Sequence, residues 1–130
     1  VFLGMFTFLL IAFLSKVALE SINYIEHYGL IRKKGRPVRM RHSWNSNHFL
    51  SSIYLYNVTR HSDHHRNSNL KFWELSPVDK NAPMLPYGYL TMLYLVLFLP
   101  FLYKKIMKRE LENWDNNYAS EFEKQLIKNY

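Results

Sequence analysis

The sequence predicts an all-α, integral-membrane chain: one transmembrane helix, a helical cytoplasmic region rich in histidine, and a re-entrant or interfacial apolar segment. Three observations carry this. Residues 1–14 hold one clearly polar side chain, Thr7, and the apolar character resumes at Val17 after Ser15 and Lys16. Residues 87–103 form a second, shorter apolar run with Pro100 inside it. Between the two runs, His61, His64 and His65 stand at i, i+3 and i+4. A helix turning about 100° per residue gathers such a triple on one face.

A helix over residues 1–22 would be about 33 Å long, enough to cross the hydrocarbon of a bilayer. A secretory leader would show a positive charge before the apolar run and a small-residue cleavage site after it. Neither is present, so the run reads as a transmembrane helix. The chain starts inside that run and without Met, and is expected to be the C-terminal part of a single membrane domain. On that reading residues 1–22 are the transmembrane helix and 23–86 a cytoplasmic region bearing the ligands. Residues 87–103 are then membrane-associated, and 104–130 an amphipathic cytoplasmic tail.

Apolar residues make up 48% of the 130 and aromatics 17%, enough for a core. The formal charge of +7 raises nucleic acid as a partner, but its placement argues against it. Six of the ten residues from 32 to 41 are Lys or Arg, directly after the membrane exit. Lys104, Lys105, Lys108 and Arg109 follow the second apolar run in the same way. Basic clusters at membrane exits mark the cytoplasmic side and attract anionic headgroups. No nucleic-acid recognition motif accompanies them. The absence of cysteine excludes disulfides, thiolate zinc sites and Cys-ligated iron centres.

In chain order, the first helix is expected to continue past the membrane to Tyr28 and stop at Gly29. This puts Glu20, Asn23 and His27 on one stripe. Residues 31–41 form a basic, irregular connector broken by Gly35 and Pro37. A single helix then runs from about residue 47 to 65, with Phe49, Leu50, Ile53, Tyr54 and Tyr56 as its apolar surface. On it Tyr54, Asn57, His61, His64 and His65 share a face, and His48 points elsewhere. Residues 67–86 are irregular, with Pro77, Pro83 and Pro86. The run at 87–103 is at the lower limit for spanning, and spanning would carry a basic cluster outside; it is therefore assigned as re-entrant or interfacial. In the tail Leu111, Trp114, Tyr118, Phe122 and Leu126 recur at helical spacing among charges, as in an amphipathic helix.

Four histidines are thus candidates to converge on a metal: His27, His61, His64 and His65. His42 and His48 are set aside, being in the connector and on another helical face. Glu26, Asn57 and Asp63 are candidates to support the ligands, since a metal-bound imidazole usually donates its other N–H to a carboxylate or carbonyl. Spacing does not name the metal, because imidazole suits iron, zinc, copper and nickel alike.

Residues 23–30, NYIEHYGL, resemble the NYxEHYG signature of the integral-membrane alkane 1-monooxygenases, and residues 60–65, RHSDHH, resemble that family's third histidine box, RHSxHH. Residues 41–48, RHSWNSNH, are similar to its PRHSWNSNH stretch, with Met40 in the proline position. Residues 85–89, LPYGY, are similar to LPxGYP, with Leu90 replacing the last proline. The third box alone is shared with membrane desaturases and related hydroxylases; NYxEHYG is more specific.

The resemblance implies a non-haem di-iron enzyme of the inner membrane, with the metal site and C-terminus cytoplasmic. It would convert n-alkanes and O2 to 1-alkanols, using electrons from a rubredoxin or ferredoxin and its reductase. It also implies that His27, His61, His64 and His65 are iron ligands. The remaining ligands of the two irons would come from HExxHK and EHxxxHH boxes, neither of which occurs in these 130 residues. Two other readings stay open on sequence: a related membrane oxygenase such as a xylene-type hydroxylase or fatty-acyl desaturase, and a membrane-anchored basic metal-binding protein without enzymatic activity.

Overall fold

The computed structural model describes residues 1–77 and 82–128. Two expectations, the irregular segment at 67–86 and the tail to 130, extend partly outside the described residues. Six α-helices follow in order: α1 (Phe2–His27), α2 (Phe49–Tyr54), α3 (His61–Arg66), α4 (Tyr89–Phe98), α5 (Pro100–Asn117) and α6 (Glu121–Lys128). Short 3-10 turns lie at Met40–His42 and Val58–Arg60. Among the described residues extended pairing is limited to one isolated parallel bridge between Asn45 and Met84.

The 26 residues of α1 are about 39 Å long, and the helix is apolar enough to cross a membrane. Its apolar length packs on nothing else in the chain: Phe2, Phe6, Phe8, Ile11 and Phe13 are all more than half exposed. An apolar surface of that extent is stable only against lipid or further apolar helices. Burial begins in the last turn, at Ile25 and Glu26. Gly29, at φ +69°, then turns the chain away, in the left-handed region that glycine enters without strain.

The core gathers under that last turn. Ile25, Trp44, Leu85, Tyr89, Met92, Leu95, Tyr103, Met107 and Trp114 form one buried cluster. It joins the end of α1 to α4 and α5. The connector is fastened into it by its backbone. The Trp44 amide donates to the Glu26 carbonyl (2.8 Å), and the Trp44 indole N–H donates to the Tyr28 carbonyl (2.9 Å). Carbonyls at a helix end need partners outside the helix, and Trp44 supplies two. The Tyr89 hydroxyl donates to the Trp44 carbonyl (2.6 Å), tying α4 to the same point.

Asn45 then carries the connector to α3. Its side-chain oxygen accepts the Ser62 amide N–H (2.8 Å), and its amide donates to the Ser62 hydroxyl (2.7 Å) and to the carbonyls of Ser43 (2.7 Å) and Pro83 (3.1 Å). Every polar atom of this fully buried amide is thereby engaged.

Three sequence expectations are corrected here. The single helix over residues 47–65 is divided: α2 ends at Tyr54, the chain reverses, and α3 starts at His61. Tyr56 (φ 48°) and Asn57 (φ 57°) both take the left-handed conformation, and the Asn57 amide bonds the Ser52 carbonyl (2.8 Å). Asparagine tolerates that conformation, and buried polar contacts across the reversal favour it over the helix. These contacts are Ser52 Oγ to Thr59 Oγ1 (3.2 Å) and the Ser46 amide to the Thr59 carbonyl (2.9 Å). The second correction concerns the apolar run at 87–103. It is broken at Leu99 into α4 and the start of α5, because Pro100 occupies the first turn of a new helix, where its missing N–H costs nothing. At ten residues α4 is about 15 Å long, half the hydrocarbon thickness.

Third, the amphipathic tail is two helices, α5 and α6, separated after Asn117. It packs on the protein. The Trp114 indole N–H donates to the Arg41 carbonyl (2.7 Å), and Glu123 accepts from Arg41 at Nε (3.0 Å) and Nη2 (3.1 Å) and from His42 Nε2 (2.8 Å). Glu123 also takes the Ser120 amide (2.8 Å), the reciprocal half of a capping box at the start of α6. The signal was present in the sequence as Ser120-Glu121-Phe122-Glu123.

Two predictions follow from these packing contacts. Asn45→Ala strands the buried Ser62 amide, and should destabilise the α3–connector junction by about 1–3 kcal/mol, read from thermal unfolding of the membrane-extracted protein. An unchanged transition would show the amide is not needed. The second concerns acid. Burial alone would raise the Glu123 carboxyl, but Arg41, Ser120 and His42 together hold it down at about 2. Its stabilisation is complete above the ordinary carboxylate pKa near 4.5 and is lost as pH falls toward 2. His42 is lowered, chiefly by burial and further by Arg41 and Arg32 against the opposing pull of Glu123, so it too loosens the fold as pH falls below about 6.5. Both signs agree: the amide-exchange protection of α6, taken against the intrinsic exchange rate at each pH, should fall between pH 6 and 3 before that of α4 does. PH-independent protection of α6 over that range would contradict the clamp.

Candidate metal centre

His27 is the last residue of α1, and its ring orientation is set by the connector. His27 Nδ1–H donates to the His42 carbonyl (3.0 Å). That bond places the proton on Nδ1 and leaves Nε2 with its lone pair. Because α3 begins at His61, its histidines project from the first two turns of a six-residue helix pinned by Asn45 and Ser62.

His27, His61 and His65 each bring a ring nitrogen to within 4.8 Å of the others. The His61 and His65 rings meet edge to face with centroids 4.3 Å apart, and the His27 ring lies 5.3 Å from His61 and 5.6 Å from His65. His64 diverges from this trio. Its ring is 5.8 Å from that of His61 and 6.2 Å from that of His65, and it faces the neighbouring cavity.

His61 and His65 are held neutral. Burial, followed by the proximity of His65, His27 and His64, pushes the His61 imidazole down to about 3. Burial, with His27, His64, His42 and Arg32 adding to it, pushes His65 to about 4. Neutral imidazole is the form that ligates metal. His65 Nε2 is buried and has no hydrogen-bond partner. A buried nitrogen left unpaired is costly, by about 1–3 kcal/mol. A cation between the three rings would remove that cost, so these residues fit a metal ion.

Of the supporting candidates, Glu26 is in place. Its Oε1 is buried, lies 3.3 Å from His61 Nδ1, and makes no hydrogen bond. The structure does not bring Asn57 or Asp63 to the rings. Asn57 donates to the Phe72 carbonyl (3.0 Å), and Asp63 accepts the Ser76 amide (2.9 Å) and pairs with Arg66 (2.6 Å). Both brace the segment after α3. Sequence reasoning missed the carbonyl of His42, since any residue has one. It set the ring of His42 aside as a ligand; in the structure Nδ1 accepts the Arg39 amide (3.0 Å) and Nε2 donates to Glu123.

A cavity of about 520 Å³ opens beside the trio. Glu26, His61 and His64 form its polar end, and Leu19, Ile22, Val58, Leu70, Phe72 and Leu75 are among its apolar walls. It therefore extends from His61 and His64 along the last two turns of α1.

Comparison with known proteins agrees with this architecture. Residues 1–96 match the fatty acid desaturase family. The chain is 43% identical to alkane 1-monooxygenase 2 of Alcanivorax borkumensis over 84% of its own length and 29% of the relative's. It is 42% identical to alkane 1-monooxygenase 1 of Pseudomonas aeruginosa over 81% of its length and 28% of that protein's. It is also 34% identical to the hydroxylase component of a xylene/toluene monooxygenase of Pseudomonas putida, over 87% and 30%. The chain thus spans less than a third of the relatives it matches. With its membrane-length helix, its histidine cluster and this similarity, the chain belongs to the fatty acid desaturase family and is similar there to the alkane 1-monooxygenases.

Proposed function

We propose that the full-length protein is a membrane di-iron hydroxylase that converts n-alkanes to 1-alkanols, and that this chain supplies four of its iron ligands: His27, His61, His64 and His65. The observation that carries the reading is the convergence of His27, His61 and His65, with the buried, partnerless Nε2 of His65, beside a mainly apolar cavity. Two irons need more donors than four imidazoles, so the complement comes from residues outside this chain. The names of the relatives at 42% and 43% identity support alkane as the substrate. The similarity to a xylene/toluene hydroxylase keeps an alkylbenzene methyl group as the second reading.

A terminal alkane C–H offers nothing for a general base or nucleophile to act on. The iron pair, when bound, supplies with O2 the oxidising power that such a bond requires. This chain's residues bind, orient and exclude water. The His42 carbonyl sets the tautomer of His27 and leaves its Nε2 free for a metal, while Glu26 lies 3.3 Å from His61 Nδ1. Leu19, Ile22, Val58, Phe72 and Leu75 receive a substrate with no polar handle by apolar contact alone. The chain end is thereby directed at the histidines while the rest lies toward the bilayer. The basic connector and the basic start of α5 put this end of α1 on the cytoplasmic side of the inner membrane. Without cysteine, the chain holds no iron–sulfur relay of its own. Electrons come from a rubredoxin- or ferredoxin-type carrier and its reductase.

The test is product analysis of the full-length protein, supplied with donor and reductase, on an n-alkane, a fatty acid and an alkylbenzene. 1-Alkanol is expected. Benzylic alcohol without 1-alkanol would replace this reading by the second one. In the same protein His65→Ala should lose both iron and product; full retention of iron would remove His65 from the ligand set.

A further inference from the structure

The carboxylate of Glu123 lies some sixty residues beyond the last histidine of the cluster and outside the stretch that matches the family. It is 3% exposed and is held by Arg41, His42 and Ser120 at once. A capping residue at the start of an eight-residue helix needs only the Ser120 contact. The remaining bonds fix something else.

We infer that Glu123 is a positioning residue for the metal centre, acting through His42 on His27; the inference rests on the metal-centre reading above. The connection is short. Glu123 Oε1 accepts His42 Nε2–H (2.8 Å), and His42 Nδ1 accepts the Arg39 amide (3.0 Å). A backbone N–H can only donate, so His42 Nδ1 bears no proton and the single ring proton sits on Nε2, facing Glu123. The ring is thus locked at both nitrogens, and with it the 3-10 turn at Met40–His42. The carbonyl of that turn accepts His27 Nδ1–H (3.0 Å). Arg41, the middle residue of the turn, is gripped by the same carboxylate in bidentate fashion, which constrains the turn from its other side. Together these bonds fix the position of the carbonyl that orients the ring of His27. Glu123, on α6, thereby acts on the ring of His27 through the side chain and carbonyl of His42.

The measurement is the rate at which the iron-loaded full-length protein releases iron to a chelator in excess. Loss of such an outer contact typically weakens metal affinity by about 10–100-fold. Glu123→Ala should raise the release rate by about that factor, and Glu123→Gln, which keeps an oxygen acceptor for His42 Nε2–H, should recover most of it. Ser120→Ala loosens the start of α6 but leaves the Glu123–His42 bond, and should release iron at the wild-type rate. If Glu123→Ala does not accumulate, His42→Leu takes its place, since it removes the ring and keeps the carbonyl; it should show the same acceleration. Wild-type release from Glu123→Ala or from His42→Leu overturns the inference. Equal acceleration by Ser120→Ala also overturns it, by showing that any loosening of the tail suffices. A wild-type protein that binds no iron instead overturns the metal-centre reading, and this inference with it.

Discussion

A helix that emerges from a membrane ends with carbonyls that no further turn of helix will satisfy, and in this chain their partners determine where everything else is placed. Trp44 takes the carbonyls of Glu26 and Tyr28, so the connector is drawn back against α1 seventeen residues after leaving it. The residues on either side of Trp44 then do the rest. The His42 carbonyl orients His27, Asn45 seizes the first turn of α3, and the Trp44 carbonyl receives Tyr89 of α4. Two histidines of α3 meet one from α1 because both elements bond to the same short length of backbone. Apolar packing fills the space beneath, but the bonds to residues 42–45 set the register.

The same arrangement explains the division of surfaces. Before Ser21 α1 is exposed and, apart from the Lys16–Glu20 pair, mainly apolar; burial begins at Ile25 and Glu26, with His27 partly buried beside them. For the hydroxylase proposed above, this change of character falls at the metal position, where a substrate arriving through lipid would meet the polar groups of the site. The cavity shared by Leu19, Ile22 and His61 lies across that boundary.

Much of this was legible in the sequence, and for identifiable reasons. The membrane helix was readable because hydrophobicity over twenty residues leaves little alternative, and the convergence of His27 with His61 and His65 because helix ends and i, i+4 spacing are local properties. The helix over 47–65 was misread for an equally physical reason. Its apolar residues have helical periodicity, yet Phe49, Leu50, Ile53 and Tyr54 are all exposed. The buried face of that segment is polar instead: Ser51, Ser52, Thr59 and Ser62. A periodicity rule that weighs only apolar side chains does not see a core of hydroxyls. Asn57 was expected on the histidine face only because one unbroken helix was assumed. The tail failed differently: Trp114 and Phe122 have the right spacing, but the Ser120–Glu123 capping pair announces a new helix between them.

The separation of His64 from the trio follows from helix geometry. With His61 as reference, His65 lies about 40° to one side around α3 and His64 about 60° to the other. His65 therefore stays with His61 against His27, and His64 turns toward the cavity. A single ion takes few imidazoles at about 2 Å and cannot draw all three from so short a helix. A pair of ions can, because donors spread over 100° of one face then address two positions. The spacing i, i+3, i+4 thus does more than gather histidines on a face. On the two-iron reading it divides them, placing His61 and His65 with His27 at one position and leaving His64 at the edge of the substrate cavity, where the rest of the site has to meet it.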